Sequence, residues 1–283
     1  MSSPRKVPPK ASARRARSPR ITTAAAVSAG WGLSEFTEVA ESRVHAAALG
    51  PDGAPEVVCV HGLGCSHRYF LPLAQQLAAH LRVVAVDLPG FGQTPGPPAA
   101  LDIRGLSLAL ADWLRATRRA RVPLIANSAG CQVVVDLATH SPELLGPIVL
   151  VGATVDRRAR SHPQQLWRLI CDVPFENPAL VPLLARDYLT CGPRRFLATF
   201  QHMLADRIEE KLRLIRVPAA VVRGKRDPIA PAAWGRELAA RLPAGRYVEV
   251  AGAGHAVNFS SPVKLARITR ALLEDRMPDE DGA

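Results

Sequence analysis

The feature that most constrains the fold is a repeated alternation of short apolar runs with stretches of helical periodicity. The runs have the length of β-strands and lie at residues 56–60, 82–86, 122–126, 147–151, 219–223 and 247–250. Apolar runs of this length are typical of strands that are covered on both faces. Because helical stretches and short connections separate them, they predict right-handed βαβ units and a mostly parallel sheet.

Residues 154–216 interrupt this alternation. They contain three helical-looking stretches, at 163–172, 178–189 and 194–213, and no strand pattern. We therefore predict a helical cap that is inserted into an α/β core. That core is predicted to comprise residues 31–153 and 217–276.

The two ends of the chain have a different composition. Residues 1–30 are rich in Pro, Ser, Arg and Ala and have no hydrophobic periodicity, which predicts a disordered basic arm. Residues 277–283 are predicted to be a short acidic tail. The net charge is +11, but seven Arg and Lys residues and no acid lie within residues 1–20, so the rest of the chain carries only +4. This distribution predicts solubility and non-specific attraction, not a specific nucleic-acid partner.

Composition also bounds the cellular setting. No apolar run reaches the roughly 18–20 residues of a membrane-spanning helix, so no span is predicted. The five cysteines are odd in number and contain no C-x-x-C pair, which argues against a disulfide framework and against a zinc site. We expect a cytoplasmic protein with free thiols, and secretion or organelle targeting by residues 1–30 stays open. The oligomeric state is not predicted.

The segment Asn127-Ser128-Ala129-Gly130 places a serine between a predicted strand and a predicted helix. A sharp strand-to-helix turn would hold Ser128 in a strained conformation, which requires small neighbours and exposes the hydroxyl above the sheet. The N–H groups at the start of the helix would point to the same place. The segment therefore indicates a nucleophile, although a serine here could instead cap the helix.

Two further residues complete the pattern of a serine nucleophile with its base. A serine hydroxyl needs a base, and that base needs an orienting acid. Asp227 and His255 each follow a predicted strand directly, in the chain order serine, acid, histidine. Alone, Asp227 could initiate a turn before Pro228, and His255 could be a surface histidine. Together with Ser128, however, they predict a catalytic triad at the carboxyl ends of parallel strands.

The loop His61-Gly62-Leu63-Gly64 also follows a predicted strand. A tight glycine-containing loop can bring a backbone N–H close to the nucleophile. We assign the oxyanion hole to the N–H groups of Leu63 and Ala129. His61 is interpreted as an organiser of its loop, not as a second base.

Taken together, these segments resemble the α/β-hydrolase superfamily over about residues 36–276. The matching segments are His61-Gly62-Leu63-Gly64, Asp87-Leu88-Pro89-Gly90-Phe91-Gly92, Asn127-Ser128-Ala129-Gly130, Asp227-Pro228-Ile229 and Gly252-Ala253-Gly254-His255. The resemblance implies an α/β-hydrolase fold: an eight-stranded, mostly parallel sheet with helices on both faces and a helical cap. It also implies that no cofactor and no metal are needed. The sequence departs from the usual pattern at two positions. Ala126 replaces the first glycine of the serine turn, and Cys131 stands where a further glycine often follows.

The expected activity is that of a serine hydrolase acting on a carboxylic ester or related acyl compound through an acyl-enzyme. Ser128 would be the nucleophile, since relatives that form an alkyl ester carry an aspartate in its place. A C–C bond hydrolase, a thioesterase, a lactonase and a cofactor-free perhydrolase would use the same three residues and stay open. A binding protein that has lost turnover is the alternative of another class.

The predicted cap supplies candidates for the substrate pocket. They are large apolar residues at helical spacings: Trp167, Phe175, Phe196, Phe200 and Met203. They predict a small-molecule, mainly apolar acyl substrate. Residues 154–216 also hold eleven Arg and Lys residues against seven Asp and Glu residues, which leaves an anionic substrate as a weaker alternative.

Overall fold

The structure, a computed structural model, describes residues 30–39 and 42–277. Eight strands form one sheet: β1 (Leu33–Val39), β2 (Ser42–Leu49), β3 (Glu56–Val60), β4 (Arg82–Val86), β5 (Val122–Asn127), β6 (Leu145–Val151), β7 (Ala219–Gly224) and β8 (Gly245–Val250). Their spatial order is β1-β2-β4-β3-β5-β6-β7-β8. The β1–β2 and β2–β4 pairs are antiparallel, and every other neighbouring pair is parallel. The predicted eight-stranded, mostly parallel sheet is confirmed.

Helices cover both faces of the sheet. Those of the α/β part are α1 (Leu71–Leu77), α2 (Ile103–Ala116), α3 (Ala129–Leu137), α8 (Ala232–Arg241), α9 (Val257–Ser260) and α10 (Pro262–Leu273). Successive β3 residues face opposite layers: Val58 packs in a core with α2, α3 and α8, whereas Val57 packs in a core with α1 and α10. This double burial explains why the central strands are continuous apolar runs.

Residues 154–216 hold the helices α4 (His162–Asp172), α5 (Leu180–Cys191), α6 (Pro193–Ala205) and α7 (Ile208–Lys211). The single helix predicted for 194–213 is wrong, because the chain is extended at Asp206 (ψ 141°) between α6 and α7. Asp206 accepts hydrogen bonds from Gln132 Nε2 (3.1 Å) and pairs with Lys211, while its carbonyl accepts from Arg160 (2.9 Å). These contacts with α3 and with the start of the segment offset the helical bonds lost at the break.

The predicted arm and tail lie outside the described residues, apart from Gly30 and Met277. Within the described part of the chain, no helix is long and apolar enough to cross a membrane.

Candidate active site

Ser128 lies at the turn between β5 and α3. Its backbone has φ 55° and ψ −124°, a conformation that costs a non-glycine residue of the order of 1–3 kcal/mol. Within the described chain, its side chain accepts no capping hydrogen bond from α3. The turn is held by Ser128 N–H, which donates to the Val151 carbonyl of the neighbouring strand β6 (2.9 Å). The helix-cap alternative is therefore wrong, because among the described residues the Ser128 hydroxyl does not bond to the N–H groups of α3.

Two glycines allow the loop after β3 to pass close to this turn. A Cβ on Gly130 would lie 2.5 Å from the Val60 carbonyl oxygen and 2.6 Å from that of His61. A Cβ on Gly62 would lie 3.0 Å from the Cβ of Ser128. The small residues that the sequence placed here are thus required by close packing between the two loops.

Asp227 and His255 form a buried pair at the ends of β7 and β8. His255 Nδ1 lies 2.9 Å from Asp227 Oδ2. The other carboxylate oxygen, Oδ1, accepts from the N–H groups of Ile229 (2.7 Å) and Ala230 (2.9 Å). The buried guanidinium of Arg223 donates to the Asp227 carbonyl (2.9 Å). These bonds hold both the backbone and the carboxylate of Asp227 in place. The carboxylate in turn orients the imidazole, which meets it through Nδ1 and not through Nε2.

Two acids of the 154–216 segment also contact the His255 loop. Asp172 Oδ1 accepts from His255 N–H (3.2 Å), and Glu176 Oε1 accepts from Ala256 N–H (2.7 Å). Burial by itself would lower the pKa of His255, but the negative charges of Asp227, Asp172 and Glu176 outweigh it and raise that pKa to about 9. Burial, reinforced by the charges of Glu176 and Asp227, raises the pKa of Asp172 to about 7. No motif in the sequence pointed to either acid.

The loop after β3 is organised by two hydrogen-bonded side chains. His61 Nε2 accepts from Leu88 N–H (3.0 Å), so its Nδ1–H donates to the Gly62 carbonyl (2.8 Å). The Tyr69 hydroxyl accepts from Gly62 N–H (2.7 Å) and donates to Asn127 Oδ1 (3.1 Å). Asn127 Nδ2 then donates to the carbonyls of Val151 (3.1 Å) and His255 (3.4 Å). This chain of bonds ties together the loops of Gly62, Ser128 and His255, and Tyr69 is a member that the sequence did not single out.

One cavity connects these groups. Its volume is about 110 Å³, and Ser128, His255, Leu63, Gly62 and Asn127 line it. Ala129, the other residue assigned to the oxyanion hole, begins α3 directly after Ser128 and is buried. Gly64 is not among the lining residues; a Cβ on it would meet the rings of Tyr188 (2.7 Å) and Phe196 (2.9 Å). The loop after β3 and the 154–216 segment are thus in direct contact.

The cavity wall from residues 154–216 contains only part of the predicted pocket. Phe196, Phe200 and Met203 line it, but Trp167 is 66% exposed and Phe175 is 41% exposed, and neither belongs to the lining. Trp167 is exposed because of helical geometry. Gln165, Leu169 and Asp172 line the cavity at spacings of four and three residues, so they define the inner face of α4. Trp167 therefore lies on the outer face. Phe175 lies in the short turn that follows α4, with its side chain turned outward.

A second buried cluster, of His45, His67 and Asp87, has the donor types of a metal site, with ligand atoms within 4.8 Å of one another. Its carboxylate is already used by hydrogen bonds. Asp87 accepts from His45 Nδ1 (2.8 Å), from His67 Nδ1 (2.8 Å) and from the N–H groups of His67 (2.7 Å) and Gln93 (2.9 Å). These bonds tie the loop after β4 to His45 and His67, so the cluster has a structural role without a metal. That no metal is needed stays a prediction.

The fold and this arrangement define a class of protein. A profile of the alpha/beta hydrolase family matches residues 57–268, so the chain belongs to that family and is a hydrolase. Among curated relatives, it is 27% identical over 232 residues to the provisionally named carbamate hydrolase RutD of Klebsiella pneumoniae strain 342, covering 74% of this chain and 87% of that protein. It is 28% identical over 252 residues to the pimeloyl-[acyl-carrier protein] methyl ester esterase of Aeromonas salmonicida, covering 76% of this chain and 94% of that one.

The fold is shared with solved structures of low sequence identity. The enol-lactonase of Burkholderia xenovorans LB400 matches with a TM-score of 0.71 at 21% identity, over 85% of this chain and all of that one (100%). At such identity the similarity concerns the fold alone.

Proposed function

We propose that the protein is a serine hydrolase that cleaves a small carboxylic ester or related acyl compound through an acyl-enzyme. The observation that carries this proposal is the buried His255–Asp227 pair (2.9 Å), whose imidazole lines the same cavity as Ser128. Ser128 is strained, and within the described chain its side chain makes no capping hydrogen bond. The names of the curated relatives, a methyl ester esterase and a carbamate hydrolase, support acyl chemistry.

In the proposed reaction, His255 Nε2 takes the hydroxyl proton of Ser128 as the oxygen attacks the substrate carbonyl. The N–H groups of Leu63 and Ala129 stabilise the oxyanion, which is worth about 3–4 kcal/mol per donor in studied hydrolases. His255 then gives its proton to the leaving alcohol. Water, deprotonated by the same imidazole, hydrolyses the ester on Ser128 and restores the enzyme. Asp227 holds the imidazole in the required tautomer throughout.

The cavity limits the size of the substrate. Residues 154–216 act in this proposal as a cap, because their side chains close the cavity above Ser128. A volume of about 110 Å³ suits a short acyl group better than a long chain. The wall of Leu169, Phe196, Phe200 and Met203 favours apolar acyl groups. The anionic alternative is not supported, since among the described residues that line the cavity none is a lysine or an arginine.

The proposal is tested with a fluorophosphonate probe and a panel of esters of increasing acyl length. We expect the wild type to be labelled and to hydrolyse short esters. Ser128→Ala should abolish labelling, and Asp227→Asn should lower kcat by about 10⁴-fold because the imidazole loses its orienting acceptor. Equal labelling of wild type and Ser128→Ala would contradict the assignment of the nucleophile. A thioester and a lactone in the panel decide between the related acyl substrates.

A further inference from the structure

The wall of the cavity beside His255 is polar, in contrast to the apolar wall opposite. It contains Asp172, at the last residue of α4, and Glu176, just after the following turn. The negative end of the helix dipole makes the C-terminus of α4 an unfavourable place for a carboxylate. Asp172 is held there by the hydrogen bond that its Oδ1 accepts from His255 N–H (3.2 Å).

The hydrogen bonds to the His255 loop use only part of this polar wall. Glu176 Oε1 is bonded to Ala256 N–H, but its buried Oε2 has no hydrogen-bond partner among the described residues. Thr154, which is 1% exposed and follows β6, also lines the cavity, and its Oγ1 has no partner in the described chain either. A buried polar atom without a partner is energetically unfavourable, because it has lost its hydrogen bonds to water. Two such atoms on one small cavity indicate that a bound molecule completes their bonding.

The charge of the wall restricts what that molecule can be. Three acids surround the cavity side of the His255 loop, namely Asp172, Glu176 and Asp227, and His255 is the one basic residue among the described lining residues. A carboxylate is an acceptor, so it pairs with an N–H or O–H donor, and most strongly with a cationic one. An anionic ligand would be repelled by these carboxylates, because the cavity wall is partly desolvated.

We propose that Asp172, Glu176 and Thr154 form a subsite for a positively charged amino group, so that the substrate is an acyl compound that carries an ammonium group. This inference rests on the proposed function, because it places the subsite beside its general base. An ammonium supplies three donors and one positive charge. These match Glu176 Oε2 and Thr154 Oγ1, the acceptors without a partner among the described residues, and the negative charge that Asp172 carries above its pKa of about 7.

The test is a ligand-observed NMR titration with butylammonium, butan-1-ol and butyrate, which have similar size and differ in charge. The wild type should bind butylammonium about tenfold or more tightly than butan-1-ol, with butyrate the weakest. The double variant Asp172→Asn/Glu176→Gln should lose this preference, since the amides keep the shape and the acceptor oxygens but not the charge. Glu210→Gln, an exposed acid of the same segment with 61% of its side chain accessible, should leave it unchanged.

Butylammonium binding no tighter than butan-1-ol to the wild type would overturn the subsite, and this result does not depend on the folding of any variant. A preference that survives in a folded double variant would also overturn it. Fluorophosphonate labelling in the same experiment reports separately on Ser128. Amine binding without labelling would refute the proposed function, whereas labelling without amine preference would refute only the subsite.

Discussion

The protonation of His255 determines how activity depends on pH. The residue acts as a base only when neutral, and neighbouring acids raise its pKa to about 9. For a neutral ester, kcat/KM should therefore rise by roughly tenfold per pH unit from about pH 6 and level off near pH 9. Glu176→Gln should shift the rising part of this profile to lower pH, because it removes one of the negative charges that raise the pKa of His255.

The control for this profile is Glu210→Gln, whose carboxylate pairs with Arg207 on the surface (3.3 Å). Its pH profile should match that of the wild type. A wild-type profile that is flat between about pH 7 and pH 9 would contradict the raised pKa of His255.

Gly152 lies under the imidazole of His255, and only glycine fits there. It has φ +55°, and a Cβ would lie 2.8 Å from His255 Nδ1. Gly152→Ala should therefore displace the ring from Asp227 and lower kcat/KM by about 10²-fold or more. The matched control is Gly53→Ala. Gly53 has φ +79°, and a Cβ on it would meet no described residue within 4 Å apart from its chain neighbours.

Both substitutions place a side chain at positive φ and should cost about 1–2 kcal/mol in the free energy of unfolding. Only Gly152→Ala should also impair turnover, as measured by ester kinetics beside chemical denaturation. If the two variants lose activity equally, the close contact with His255 is not what matters at Gly152.

Helix α4 divides its residues between cavity and solvent. Leu169 lines the cavity, whereas Leu166, of the same type and on the same helix, is 57% exposed. Leu169→Ala should enlarge the cavity and shift the best acyl length in the ester panel to longer chains. Leu166→Ala should leave the acyl-length profile unchanged, and a shift in both variants would refute this assignment of faces.

The elements differ in how far the sequence predicts them. The core strands were predictable because burial on both faces leaves a continuous apolar run, as in Val57–Val60. The break between α6 and α7 was not, because Asp206 is held by residues distant in the chain, among them Gln132. The sequence also did not predict which face of α4 lines the cavity, since helical periodicity identifies an apolar stripe but not the surface that covers it.

The whole molecule carries an uneven charge, with seven of its positive charges in residues 1–20 and no acid there. Deleting residues 1–29 should leave kcat/KM on a neutral ester unchanged, because the described residues that line the candidate site begin at Gly62. Any binding to duplex DNA should be weak, should fall steeply with salt and should decrease in the truncated protein. DNA binding that is salt-independent, or that survives the deletion, would contradict this interpretation of the charge.

The sequence alone predicted the alternation of core strands and helices, the family, and the three candidate residues Ser128, Asp227 and His255. These depend on local patterns and on chain order, which a single sequence contains. The tertiary structure decided that, within the described chain, the side chain of Ser128 makes no capping hydrogen bond. It also decided that Asp172 and Glu176 reach the His255 loop, through contacts that span 83 and 80 positions of the chain. Such contacts have no local pattern, because each is formed only when residues 154–216 pack against the loop that follows β8.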